Sequence, residues 1–222
     1  MTSILVVAAH PDDEVLGCGG VMARHAAAGD EVRVIFLADG VSSRGQDDSA
    51  LQRRMRAARA AAEILGAHPP VFLDMPDNRM DSLDLLNIVQ ALEEHLFRIN
   101  PEIIYTHSAS DLNIDHRLTH QAVLTACRPQ PGSRVRAIHA FEVPSATHWA
   151  SHEMADAFKP TRFVDISDFL ETKLRALACY EEEMRPYPHA RSSRAVEALA
   201  IFRGTTAGLE AAEAFCVIRE VL

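Results

Sequence analysis

Short apolar runs and longer segments of helical period take turns along the first 128 residues. “SILVVAA” (3–9), “EVRVIFLA” (31–38), “PVFLDM” (70–75) and “PEIIYTH” (101–107) carry the near-continuous apolar character of strands buried on both faces. Between and after them, “GGVMARHAAAG” (19–29), “SALQRRMRAARAAAEILG” (49–66), “SLDLLNIVQALEEHLFRI” (82–99) and “DHRLTHQAVLTACR” (115–128) repeat their apolar residues at helical spacing. This βαβα rhythm predicts an α/β fold with a mainly parallel sheet covered by helices on both faces. Gly29 and Gly66 stand where two helices should stop, and Pro101 opens the strand after the third. Beyond residue 130 the pattern weakens: “RVRAIHAFEV” and “TRFVDI” predict strands, “SDFLETKLRALACYEEEM” a helix, “RPYPHARS” a loop, and “EAFCVIREV” a last strand after a closing helix. With no linker and no internal repeat, residues 1–222 are expected to form a single domain.

Composition narrows the function classes. A net charge of −9 argues against a nucleic-acid partner, which would want a basic stripe. No apolar run approaches the ~20 residues needed to span a bilayer, and the N-terminus lacks the marks of a signal peptide, so a cytoplasmic protein without membrane contact is expected. Cys18, Cys127, Cys179 and Cys216 form no C-x-x-C pair; they are expected to be reduced, packed thiols.

The chemistry concentrates in three loops that follow strands one, two and four and should meet at the carboxyl edge of the sheet. They are “AHPDDE” (9–14), “ADGVSSRG” (38–45) and “THSASDLNIDHRLTH” (106–120). A histidine of the third loop, together with His10 and one carboxylate of the first, would make a His/His/Asp set of the kind that holds a catalytic zinc and leaves a position open for water. The neighbours Asp12 and Asp13 can then divide the work, one as ligand and the other as a base within reach of the water. Helix capping accounts for one or two of these acids, but not for His10 or for the similar crowding in the third loop. His25, His68, His95, His139, His148 and His152 have no such company and are expected to be packed or solvated. “HEMAD” (152–156) lacks the second histidine of H-E-x-x-H, and “GCGG” (17–20) follows an acidic turn that would repel a pyrophosphate, so its glycines are expected to serve close helix packing.

At “AHPDDEVLGCGG” the chain resembles the LmbE-like, or PIG-L, family of zinc-dependent N-acetylglucosaminyl deacetylases. The likeness continues through “LADGVSSRG”, “MPDNRMD”, “DLNIDHR” and “AEAF”, across essentially the whole chain. It implies a Rossmann-like three-layer α/β/α fold and removal of an acetyl group from an N-acetylated amino sugar or glycoconjugate. It further implies one Zn²⁺ per chain held by His10, Asp13 and His116, with Asp12 as general base, and a homo-oligomer; Fe²⁺, Co²⁺ or Mn²⁺ would also suit the ligands. Asp115 would orient a ligand imidazole, and His120, one helical turn on, is a rival to His116. The chain departs from the family pattern at Asn113, where several members have a histidine that stabilises the oxyanion. Asn113 would donate a neutral hydrogen bond there, or His107 or His189 would supply the charge. Arg44, Arg54, Asp77, Asn78, Arg79 and His107 are candidates for substrate contact. Hydrolysis of a thiol-sugar amide would use the same site, and a non-catalytic metal-binding module is the alternative outside enzymology; Asp12, which zinc binding does not require, speaks against the latter.

Overall fold

The computed structural model describes residues 1–45, 48–151 and 157–222, with the side chain of Arg44 outside the described part. Seven strands form one sheet in the order β3-β2-β1-β4-β5-β7-β6. They are β1 (Ser3–Ala8), β2 (Glu31–Ala38), β3 (Val71–Met75), β4 (Ile103–His107), β5 (Ala137–Phe141), β6 (Arg162–Asp165) and β7 (Ala212–Glu220). The first five run parallel, with Val6 beside Val34 on one flank and Tyr105 on the other, while β7 runs antiparallel between β5 and β6. The mainly parallel sheet expected from the apolar runs is therefore present. The strand order reverses between β1 and β4, and a doubly wound sheet opens its ligand crevice at that point.

Alternation along β1 divides the core in two. Ile4, Val6 and Ala8 pack on the side of α1 (Asp13–Ala27), α2 (Asp48–Ile64), α5 (Leu170–Ala178) and α6 (Ser193–Thr206), whereas Leu5 and Val7 pack on the side of α3 (Leu85–Ile99) and α4 (Ile114–Ala126). The result is three layers. Gly29 and Gly66, at φ 82° and 71°, end α1 and α2 in the left-handed conformation that favours glycine. Among the described residues no helix is long and apolar enough to cross a membrane. The segment “HEMAD” lies outside the described residues.

Two helices differ from expectation, each for a physical reason. α1 begins at Asp13 rather than Gly19 and carries a kink at Cys18 (φ −147°, ψ 22°). The kink frees backbone groups that a buried ion pair then satisfies: Gly20 and Val21 donate their N–H groups to Glu213 at 2.9 and 2.7 Å, and Lys173 Nζ donates to Leu16 O at 2.9 Å and to Glu213 Oε1 at 2.5 Å. The glycines flanking it do serve close packing, since a Cβ on Gly17 would stand 2.3 Å from the Phe141 ring and one on Gly20 2.8 Å from Ile166. α5 is shorter than the periodicity predicts: a 3₁₀ turn (Ser167–Phe169) precedes it, and past Ala178 the chain turns off so that Tyr180 and Glu183 point inward, both buried.

Candidate metal centre

Loops at the carboxyl ends of β1, β2, β3, β4 and β5 meet over the crevice, including the three expected to converge. Strand β1 ends at Ala8, and Asp13 N–H donates back to His10 O at 3.2 Å, so “HPDD” folds into a tight turn directly before α1. Asp12 adopts φ 134°, ψ −28° there, a conformation L-residues rarely take, and its N–H is held by Glu14 Oε2 at 3.0 Å. Tyr180 donates its hydroxyl to the other oxygen of Glu14 at 2.5 Å. From the far side, α4 starts at Asn113, which accepts the Asp115 N–H at 2.8 Å and so caps the helix that carries His116 inward.

His10, Asp13 and His116, all buried, turn one ligand atom each to a common point. Asp13 Oδ2 is 3.1 Å from His10 Nδ1 and 3.1 Å from His116 Nε2, and the two ring nitrogens are 3.3 Å apart. Ligands about 2.0–2.1 Å from a tetrahedral ion stand about 3.3 Å from one another, so this triangle has the dimensions of a three-ligand cation site. Asp13 Oδ1, buried without a hydrogen-bond partner, also fits a place meant for a cation. Each imidazole has its second nitrogen tied outward: His10 Nε2 faces Asp115 Oδ2 at 3.0 Å and Asp77 Oδ1 at 3.2 Å. His116 Nδ1 lies 3.1 Å from Asp111 Oδ2, though off the axis of a good hydrogen bond. Asp115 itself accepts the N–H groups of Asn78 and Met80 at 2.7 and 3.0 Å, which locks it in place.

The carboxylates around the triangle favour protonated imidazoles. Burial works against charge on His10, but hydrogen bonds to Asp115 and Asp13 outweigh it and raise its pKa to about 10; Asp13 and Asp111 likewise raise His116 to about 9 against its burial. Burial also opposes ionisation of Asp13, yet the His116 charge and the hydrogen bonds from both imidazoles hold it well below the usual carboxylate range. Metal binding near neutral pH must therefore displace protons from the ligand nitrogens, and affinity should rise with pH until those groups lose them unaided. Calorimetric Zn²⁺ titrations in buffers of different ionisation enthalpy are expected to show release of about two protons per ion at pH 7. Release of none would mean that the ligand imidazoles are already neutral.

The remaining sequence candidates are placed as follows. Asp12 Oδ2 accepts from Arg191 Nη1 at 2.8 Å, and burial raises the Asp12 pKa to about 6, with the Arg191 charge offsetting part of the rise. Asp77, Asn78 and Asn113 line a cleft of about 60 Å³ with His10 and Asp12, opposite Arg54, Glu183 and Arg191. Asn113 Nδ2 donates to Asn78 Oδ1 at 2.9 Å, and Arg54 Nη1 donates to Pro11 O at 2.9 Å while its Nη2 pairs with Glu183. Arg79 is exposed and lines no part of the cleft.

Three histidine expectations need correction. His107 is fully buried, stacked on His116 at 3.9 Å, with Nε2 accepting the Ala9 N–H at 2.8 Å; burial and the His116 charge hold its pKa well below 6.5, so it is a neutral ring beneath the site that can neither touch substrate nor supply charge. His120 turns Nδ1 to the His107 carbonyl at 2.8 Å and is absent from the convergent set, so it does not compete with His116. His189 stands outside the cleft lining, its Nδ1 accepting the Arg191 N–H at 3.0 Å. The cation that its loop delivers is Arg191, two residues later. Arg191, Glu183 and the Glu14–Tyr180 pair escaped sequence reasoning, because no local pattern marks residues that reach the first loop from more than 160 positions away.

The PIG-L family profile, described as GlcNAc-PI de-N-acetylase, matches residues 5–127. A protein of Escherichia coli K12 called uncharacterized deacetylase YaiS is 33% identical over 180 residues, spanning 78% of this chain and 88% of its own. The N,N′-diacetylchitobiose deacetylase of Pyrococcus horikoshii superposes with a TM-score of 0.79 at 20% identity, covering 97% of this chain and 83% of its own. GalB, the 4-carboxy-2-hydroxymuconate hydratase of Pseudomonas putida KT2440, superposes with a TM-score of 0.77 at 25% identity over 100% and 98% of the two chains.

Proposed function

The chain belongs to the PIG-L family of de-N-acetylases, and from that premise we propose that it is a Zn²⁺-dependent hydrolase that removes the acetyl group from an N-acetylated amino sugar or glycoconjugate. The observation that carries this reading is the triangle of His10, Asp13 and His116 with the Asp12 carboxylate beside it, beneath a polar cleft that His10 and Asp12 line.

A divalent cation in that triangle would polarise the amide carbonyl and lower the pKa of water. Asp12, next in the chain to a proposed ligand and hydrogen-bonded to Arg191, takes the proton of the attacking water in this reading; a pKa near 6 leaves it ionised at neutral pH. Attack on the acetamide carbon develops an oxyanion, and loss of one well-placed donor to such a charge typically costs about 3–4 kcal/mol. Asn113 and Arg191 both line the cleft and are the donors on hand. The proton on Asp12 then passes to the departing amine, so acetate and a free amino sugar leave. His10 keeps its orientation through Asp115 and Asp77 throughout.

The likeness to a hydratase makes the product the decisive readout, since one water-activating cradle can serve more than one reaction. Incubation with a panel of N-acetylated amino sugars and conjugates is expected to yield acetate and primary amine in equal amounts. A chelator should abolish both and added Zn²⁺ restore them. Amine release that persists at full rate in metal-free protein, or no acetate from any member, would overturn the reading.

A further inference from the structure

The cleft over the metal centre, at about 60 Å³, is far below the ~300 Å³ of a typical small-molecule pocket, and its lining is almost wholly polar. It suits the acetamido group and its immediate surroundings; the rest of a substrate must lie across the rim. The rim differs in character. Trp149, on the 3₁₀ turn after β5, is 55% exposed, and Leu112, next to the cleft residue Asn113, is 43% exposed. Hydrogen bonds tie this segment to the loop before α4 and to a residue of the cleft: Thr147 Oγ1 donates to Asp111 Oδ2 at 2.7 Å, and Arg191, whose Nη1 reaches Asp12, donates its Nε to Ser145 Oγ at 2.8 Å. The His189 ring meets the indole edge-on at 5.6 Å. The loop that brings Arg191 to the base thus also braces Trp149.

An indole is a large apolar surface, and leaving half of it in water forgoes hydrophobic stabilisation unless a ligand covers it. We propose that Trp149, braced by His189, is a stacking platform for a second pyranose ring, the one joined to the acetylated sugar, so that the preferred substrate is a disaccharide or longer saccharide rather than a free monosaccharide. The less polar face of a pyranose presents C–H groups of partial positive charge, which match the negative face of the indole, while its hydroxyls stay at the ring edge in water. Leu112 extends the apolar strip toward the cleft. The direction of binding, acetamido group inward, rests on the deacetylase reading; the platform does not.

Trp149 is the single tryptophan of the chain, so its emission reports on this platform alone. Titration of the metal-loaded protein with N,N′-diacetylchitobiose is expected to shift or quench the emission, whereas N-acetylglucosamine at equal concentration leaves it nearly unchanged. Trp149→Ala is expected to lower kcat/KM for the disaccharide about tenfold more than for the monosaccharide, with Trp149→Phe retaining most of the disaccharide rate. Unchanged emission at disaccharide concentrations that saturate turnover overturns the platform and leaves the deacetylase reading standing. So does a disaccharide preference intact in both variants. Emission that responds to the disaccharide in protein that releases no acetate supports the platform and removes the deacetylase reading instead.

Discussion

Replacing Asp12 with Asn is expected to lower kcat about 10³-fold while one equivalent of metal stays bound. The substitution keeps the shape and a partner for Arg191 but removes the basic lone pair that would accept a proton. It is also gentle on the backbone: Asp12 sits at φ 134°, and asparagine tolerates positive φ better than most side chains. Metal content should not change, because Asp12 is outside the triangle of His10, Asp13 and His116. Steady-state kinetics with metal analysis on the same preparation decide the matter. A variant within about tenfold of wild-type turnover would show that Asp12 is not the base; loss of activity together with the metal would make Asp12 part of the ligand set.

Glu213→Ala is expected to reduce the free energy of unfolding by about 3–5 kcal/mol, the usual consequence of leaving one member of a buried ion pair alone. The side chains of Glu213 and Lys173 are each 4% exposed, and Glu213 also holds the Gly20 and Val21 N–H groups. Its removal would leave a buried ammonium and two buried amide donors without their acceptor. Urea unfolding followed by circular dichroism measures the loss; a change under about 1 kcal/mol would mean that water or backbone rearrangement satisfies the kink. Since the first half of α1 carries Asp13, the same variant should also weaken metal binding, although Glu213 touches no residue of the triangle.

The two halves of the site were not equally legible in the sequence. His10, Asp12 and Asp13 are consecutive or nearly so, and His116 lies in the first turn of the helix that follows a recognisable strand, so the βαβ rhythm alone brings them to one edge. The partners from the last fifth of the chain follow no such rule. Arg191 sits in a loop whose histidine drew attention first, and only the path of that loop decides that the guanidinium enters the cleft while the imidazole packs on Trp149. The early start of α1 was hidden for a similar reason. “GCGG” is a poor helical stretch by propensity, and what sustains the kinked helix is an ion pair contributed by α5 and β7.

The insertion of β7 between β5 and β6 governs how the enzyme comes into being during synthesis. Strand β6 has β7 as its hydrogen-bonded neighbour, so it must wait until residues 212–220 have left the ribosome before it can join the sheet. The proposed cation ligands are all made once residue 116 is added, whereas the guanidinium that meets Asp12 and the carboxylate that secures α1 come only with residues 191 and 213. A nascent chain can accordingly gather the proposed ligands well before it has the Arg191 charge that the proposed chemistry calls for, and capture of a metal can precede competence to use it.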